Sequence, residues 1–156
     1  MVSELITAII LSALPISEVR GGIPVAILSG VNPVVAVVVC TIANIAVIPL
    51  VFFFLEYVHA QLMRFGIYQA TFDLVMERTR GKVESLVNKY GYLGLALFVA
   101  VPLPATGAYT GTLAAWFLGM KKRKAFLAIA SGVVAASVIV TAVMLTGSKL
   151  FSVFVK

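Results

Sequence analysis

Residues 15–22, PISEVRGG, interrupt an apolar stretch that begins at residue 4 and resumes over residues 23–29. A second interruption, PLPATG at residues 102–107, follows the apolar residues 91–101. Each apolar piece is about half the roughly 20 residues that a membrane-crossing helix needs. Proline removes a backbone donor and glycine weakens a helix, so both interruptions predict broken backbone. Such backbone is tolerated at membrane depth only where it is buried in protein or lines a cavity.

The composition is that of an integral membrane protein. Of 156 residues, 62% are hydrophobic and 12% are charged, which leaves too few polar groups to cover a soluble domain. Two further apolar stretches, residues 34–57 and 125–146, are uninterrupted and long enough to span a bilayer. The net charge of +6 does not indicate a nucleic-acid partner, because the basic residues flank apolar blocks.

The two interrupted stretches resemble each other, since Pro15 corresponds to Pro104, 89 residues later. The same offset pairs Ser17 with Thr106, Gly22 with Gly111, Ala26 with Ala115, Gly30 with Gly119, and Ala43 with Gly132. We therefore predict an all-α integral membrane fold with two repeats, residues 4–57 and 91–147. Each repeat is a helical hairpin followed by one spanning helix, and residues 58–90 connect them within a single domain, 1–156.

Basic residues distinguish two topologies. If both interrupted stretches cross the membrane fully, the basic residues of segment 57–90 lie opposite the cluster at residues 121–124. If both are re-entrant hairpins, those nine basic residues share one face, as the positive-inside rule favours. We predict the second topology in the cell membrane, with inverted repeats, both termini outside, and residues 58–90 and 121–124 cytoplasmic.

The connector is predicted to be an amphipathic helix on the cytoplasmic lipid surface. Its apolar residues follow i, i+3, i+4, i+7 spacing, and charged residues take the other side. The apolar positions are Val83, Leu86, Val87 and Tyr90.

Glu18 and Arg20 are the only charges within the predicted hydrophobic depth. A charge there costs roughly 2.5–3.5 kcal/mol even on lenient insertion scales. Two explanations remain open and are compatible. The pair holds the first hairpin tip together, or it binds substrate or moves a proton.

The hairpin tips are predicted to form an anion site near the membrane midplane. Half-helices beginning near Gly22 and Gly107 would direct two positive helix N-termini at the same place, beside Arg20. The predicted substrate-binding residues are Glu18, Arg20, Gly21, Gly22, Asn44, Thr106, Gly107, Tyr109 and Thr110. For the hydroxyl residues the alternative is local satisfaction of broken backbone, and for Asn44 it is contact between helices.

Enzyme chemistry has no support in the sequence. The only histidine, His59, is far from the serines of the apolar stretches, and the only aspartate, Asp73, lies in the connector. No run of Cys, His or carboxylates has metal-ligand spacing, so we predict neither metal nor cofactor. Cys40 stands alone, which excludes an internal disulfide.

The runs at residues 15–24 and 102–111 resemble the paired signatures of the small multidrug export family of prokaryotic membrane proteins. That family is similar to the DedA/VTT membrane proteins, which the resemblance links to two opposed re-entrant hairpins and to movement of polyprenyl-phosphate and other lipids. Glu18 and Arg20 match the acidic and basic residues of the first hairpin. The second hairpin departs from the DedA pattern because it carries no charge.

Together these observations predict a membrane transporter for an anionic substrate, such as a polyprenyl-phosphate or another phospholipid head group. A proton-coupled small-molecule (multidrug) exporter and a non-transporting membrane scaffold are the alternatives. The predicted partners are the anionic lipid or small-molecule substrate, membrane lipids and a second copy of the chain, because a homodimer would cover hairpins that are otherwise exposed to lipid.

Overall fold

A computed structural model describes residues 2–101 and 106–154, except for the side chains of Arg78, Lys82 and residues 148–154. The described residues form helices and turns and contain no strand. The helices are α1 (Val2–Ala13), α2 (Glu18–Leu28), α3 (Pro33–Phe53), α4 (His59–Leu62), α5 (Gly66–Tyr90), α6 (Tyr92–Ala100), α7 (Ala108–Phe117) and α8 (Lys122–Phe154). A π-helical turn, Phe54–Val58, joins α3 to α4. The all-α prediction is confirmed.

Two helical stretches are long and apolar enough to cross a membrane. They are Pro33–Leu62, with 30 residues, and Lys122–Gly147, with 26 residues, and both extend beyond the predicted spans. Asn32 begins the first by accepting a hydrogen bond from Val34 N–H at 2.9 Å, with Pro33 at the first helical position. Large apolar side chains of α3 and α8 are exposed, as expected of a membrane protein in contact with lipid.

The four short helices have half-membrane lengths. Helices α1 and α2 contain 12 and 11 residues, and α6 and α7 contain 9 and 10. The prediction that the second half-helix of the first hairpin begins near Gly22 is wrong, because this helix begins at Glu18. Gly22 lies within α2 and allows this helix to pack closely on α1, since a Cβ there would lie 1.9 Å from Ser12 Oγ.

The turns after α2 and α7 share one hydrogen-bond pattern. Gly30 and Gly119 both have positive φ, 84° and 62°, and each follows the last residues of its helix. Each glycine N–H donates to the carbonyl three residues earlier, and the next N–H donates to the carbonyl five residues earlier. Glycine is suited to this helix-ending turn. Every donor and acceptor of the first turn recurs 89 residues later in the second.

The half-helices pack against both long helices. Helices α1 and α2 contact α3, and α6 and α7 contact α8. In addition, α2 contacts α8, α7 contacts α3, and α3 contacts α8. Polar side chains lie inside this bundle, where Thr41 of α3 donates to Ser137 Oγ of α8 at 2.8 Å. The interior is therefore more polar than the exposed faces of the long helices.

One end of the molecule gathers the connector and the basic cluster. Lys122 forms an ion pair with Glu56, and Arg80 of α5 lies 5.1 Å from the Phe117 ring. Lys121 N–H donates to Tyr92 Oη at 3.2 Å. The cluster at residues 121–124 therefore lies beside the π-helical turn before the connector and beside Tyr92, just after it.

The connector helix packs on the protein more closely than its sequence pattern predicts. Val83 is only 1% exposed, and Leu86 and Val87 pack against the core. A Cβ on Gly94 of α6 would lie 2.1 Å from the Leu86 carbonyl oxygen, so the two backbones nearly touch. Val83, Leu86 and Val87 of the predicted apolar face thus pack on the protein, whereas Tyr90 is exposed. The position of the connector on the lipid surface stays a prediction.

Candidate functional site

Glu18 reaches from the first hairpin to the second. Its carboxylate accepts hydrogen bonds from Ala108 N–H at 3.4 Å and Tyr109 N–H at 3.3 Å, at the beginning of α7. The side chain is 6% exposed. Because a helix N-terminus favours negative charge, Glu18 caps α7 electrostatically.

The backbone on both sides of this contact is specialised. Glu18 has φ 48°, which is uncommon for a residue with a side chain, and Gly107 has φ 148°. A Cβ on Gly107 would lie 1.9 Å from Glu18 Oε2. Only glycine at 107 therefore admits the carboxylate, and these two residues are themselves equivalent at the 89-residue offset.

Arg20 binds the carbonyl groups that the second interruption frees. Its guanidinium donates to the Thr106 carbonyl, to Thr106 Oγ1 at 2.8 Å and to the Val101 carbonyl at 3.2 Å. Thr106 Oγ1 also donates to the Val101 carbonyl at 2.7 Å. A planar guanidinium with several donors suits such convergent acceptors.

Tyr109 makes the corresponding contact in the opposite direction. Its hydroxyl donates to the Ala13 carbonyl at the end of α1. Arg20 and Tyr109 are equivalent at the 89-residue offset, so each hairpin caps the first helix of the other. We call Glu18, Arg20, Thr106, Gly107 and Tyr109 the tip clasp.

A cavity of about 790 Å³ adjoins the tip clasp. Tyr109, Thr110 and Pro15 line it beside the tips, and side chains of α3 and α5 form its other walls. Tyr68 and Phe72 of α5 are part of this wall, and sequence reasoning missed them. Their spacing of four residues on one helix face was the available signal. Burial raises the pKa of Tyr68, whose hydroxyl lies 3.0 Å from His59 Nδ1.

Residues 18–139 match the family model described as "putative small multi-drug export protein". The chain belongs to this family. No curated protein and no solved structure matches the sequence significantly. The match begins at Glu18 and includes all of the tip clasp and most of the cavity wall. This export-family protein is thus an all-helical membrane protein of a transport family, and the resemblance to the family is confirmed. Its kinship with DedA/VTT proteins stays a prediction.

The other predicted site residues lie outside the tip clasp. A Cβ on Gly21 would lie 2.6 Å from Ser17 Cβ, so Gly21, like Gly22, packs within its own hairpin. Asn44 donates through Nδ2 to the Ser12 carbonyl at 2.9 Å, which joins α3 to α1. Thr110 donates to the Gly107 carbonyl at 3.4 Å, a local backbone contact. Whether any of the nine binds substrate stays a prediction.

The clasp also changes the electrostatic interpretation of the tips. The N-terminus of α7 already holds an anion, which is the Glu18 carboxylate. Within residues 2–101 and 106–154, no group of three or more His, Cys, Asp or Glu side chains could hold a metal ion. The amide donors and the guanidinium at the tips are thus bound by other groups of the protein.

Replacing Arg20 by methionine should destabilise the protein by about 3 kcal/mol, because buried carbonyls lose charged donors. Arg123→Met is the matched control, since that side chain is exposed in the basic cluster at residues 121–124, outside the tip clasp. Thermal unfolding of the purified variants in one detergent measures the difference. Equal unfolding midpoints for the two variants would contradict the structural role of Arg20.

Proposed function

We propose that the protein is an inverted-repeat transporter that moves an amphiphile with an anionic head group across the membrane. The head group binds at the tip clasp, and the apolar tail occupies the adjoining cavity. One observation carries the proposal: the Glu18 carboxylate occupies the amide donors of Ala108 and Tyr109, and Tyr109 also lines an apolar cavity of about 790 Å³.

An incoming anion can replace Glu18 at the start of α7. The two bonds that hold the carboxylate, at 3.3 and 3.4 Å, are longer than the usual 2.9–3.0 Å and correspondingly weak. A phosphate or carboxylate head group would gain the same helix N-terminus and approach Arg20. Glu18 acts in this proposal as a resident anion that closes the empty site.

The cavity suits the tail of such a substrate. Its volume lies within the range of small-molecule sites, and its walls are mainly aliphatic and aromatic, with Leu50, Phe54 and Val75 among them. A polyprenyl-phosphate or another phospholipid combines an apolar tail with a phosphate head. We therefore propose this class of substrate.

Reciprocal contacts support inverted repeats with re-entrant hairpins. Arg20 and Tyr109 cap opposite hairpins, α2 packs on α8 as α7 packs on α3, and the turns after α2 and α7 have matching hydrogen bonds. The ion pair between Lys122 and Glu56 supports placing residues 58–90 and 121–124 on one, cytoplasmic, side. Both termini are then outside.

Two other functions each have one supporting observation. A proton-coupled small-molecule exporter would use Glu18 as the proton carrier, because it is a carboxylate at 6% exposure beside a large cavity. A scaffold is supported by the close packing of the clasp.

A homodimer would cover Ile16, which is 98% exposed at the first tip.

Removing the charge of Glu18 should strengthen head-group binding. Glu18→Gln keeps the side-chain shape but weakens competition at α7, so we expect a phosphate-monoester lipid to bind about tenfold more tightly. Binding is measured in mixed micelles, with a choline-headed lipid as the ligand control. Glu56→Gln is the protein control, because that carboxylate pairs with Lys122 elsewhere. Unchanged affinity in Glu18→Gln, or equal affinity for both lipids, would refute the anion site.

Cysteine labelling tests the topology independently of the substrate. Single cysteines at Glu77 and Lys121, in a Cys40→Ser background, should react from the cytoplasmic side with an impermeant reagent. Cysteines at Ser3 and Gly147 should react from the outside. Labelling of the Glu77 and Lys121 positions from opposite sides would exclude the re-entrant arrangement.

A further inference from the structure

Helix α1 ends at Ala13, and its last carbonyl groups lie inside the protein. Three of them are bound by side chains from other parts of the chain. Ser17 Oγ donates to the Leu11 carbonyl, Asn44 Nδ2 to the Ser12 carbonyl, and Tyr109 Oη to the Ala13 carbonyl. The end of a helix carries partial negative charge, which these donors offset only in part.

Two buried side-chain oxygens at this place remain unsatisfied. Ser12 and Asn44 are both 0% exposed, and within the described chain Ser12 Oγ and Asn44 Oδ1 have no hydrogen-bond partner. The two residues are in direct contact, because Asn44 Nδ2 donates to the Ser12 carbonyl at 2.9 Å. Buried polar atoms without partners are rare in folded proteins and require an explanation.

The surroundings of these atoms supply the Ala8 carbonyl oxygen and the Cys40 thiol. Ala8 O, one turn before Ser12 on α1, lies 3.9 Å from Cys40 Sγ, one turn before Asn44 on α3. Gly22 closes the third side, since a Cβ there would lie 1.9 Å from Ser12 Oγ and 2.7 Å from Ala8 O. The contact between α1, α2 and α3 therefore presents amide, hydroxyl and carbonyl oxygens.

We propose that Ser12 Oγ and Asn44 Oδ1 form a site for one Na⁺ ion between α1, α2 and α3. Neutral hard oxygens favour a small hard cation, and the absence of a carboxylate from this set disfavours a divalent ion. The C-terminal end of a half-helix carries partial negative charge and therefore also favours a cation. Na⁺ binds at such ends in transporters with broken helices.

This site would supply a coupling ion for transport, a consequence that rests on the proposed function. Na⁺ binding would join α1, which carries the Ala13 carbonyl bound by Tyr109, to α3, which lines the cavity. The cation and the anionic head group would then occupy opposite ends of different half-helices. The binding of Na⁺ itself does not depend on any lipid substrate.

The test uses the full chain in detergent, with equal concentrations of NaCl, KCl or N-methylglucamine chloride. Na⁺ should raise the unfolding temperature of the wild type more than K⁺ or N-methylglucamine does. Cys40 is fully buried and reacts with N-ethylmaleimide only through local opening, so Na⁺ at ten times its Kd should slow that reaction roughly tenfold.

Ser12→Ala separates a cation site from ordinary packing. Its hydroxyl makes no hydrogen bond in the described structure beyond a weak interaction with the Cys40 thiol, so the variant should fold and nearly keep its stability in N-methylglucamine while losing the effect of Na⁺. Ser137→Ala is the matched control, because Ser137 is equally buried and its hydroxyl is bonded to Thr41 and Val133. That variant should lose stability but keep the Na⁺ effect.

Each alternative result overturns the proposal. Equal behaviour of the wild type in all three salts would mean that a buried water, and not Na⁺, satisfies these oxygens. An unchanged Na⁺ effect in Ser12→Ala would place the ion elsewhere. Because this test contains no lipid substrate, a failure to bind Na⁺ would say nothing about head-group binding. The two proposals can therefore fail separately.

Discussion

The structure depends on one constraint, which is that backbone groups freed by a broken helix at membrane depth must find partners inside the protein. An unsatisfied backbone group there costs several kcal/mol, and two hairpins free many of them. The chain meets this requirement with contacts across the hairpins as well as with local ones, such as the bond from Thr106 Oγ1 to the Val101 carbonyl. Glu18 caps the start of α7, Arg20 binds the end of α6, and Tyr109 binds the end of α1.

The same constraint connects stability to function. Donors and acceptors that satisfy broken backbone are the groups that can bind a charged head group, because both tasks need fixed dipoles in a low-dielectric setting. In the proposed function, the tip clasp stabilises the fold while no head group is bound. Exchange of Glu18 for a substrate anion would preserve the cap on α7 and release the carboxylate. The adjoining cavity would give the apolar part of such a substrate a place beside Tyr109.

Much of the element order could be predicted from the sequence, because proline and glycine interrupt apolar stretches whose lengths define half-helices and spans. Charges at membrane depth also identified Glu18 and Arg20. The sequence also grouped them with Thr106, Gly107 and Tyr109 in one site. Which atoms bond to each other could not be predicted, since the partners lie 81–91 positions away and depend on how the hairpins cross. Gly22 looked like a helix breaker, although close packing on Ser12 is its role. The place of Tyr68 in the cavity wall could not be predicted either, because it depends on where α5 packs.

Lipid movement in vesicles tests the central claim most directly. The protein is reconstituted into liposomes that contain a fluorescent phosphate-headed lipid or its choline-headed counterpart, and an impermeant quencher reports which leaflet each lipid occupies. The account predicts that the protein accelerates exchange of the phosphate-headed lipid between leaflets well above the protein-free rate and above that of the choline-headed lipid. Exchange of the phosphate-headed lipid at the protein-free rate would contradict it.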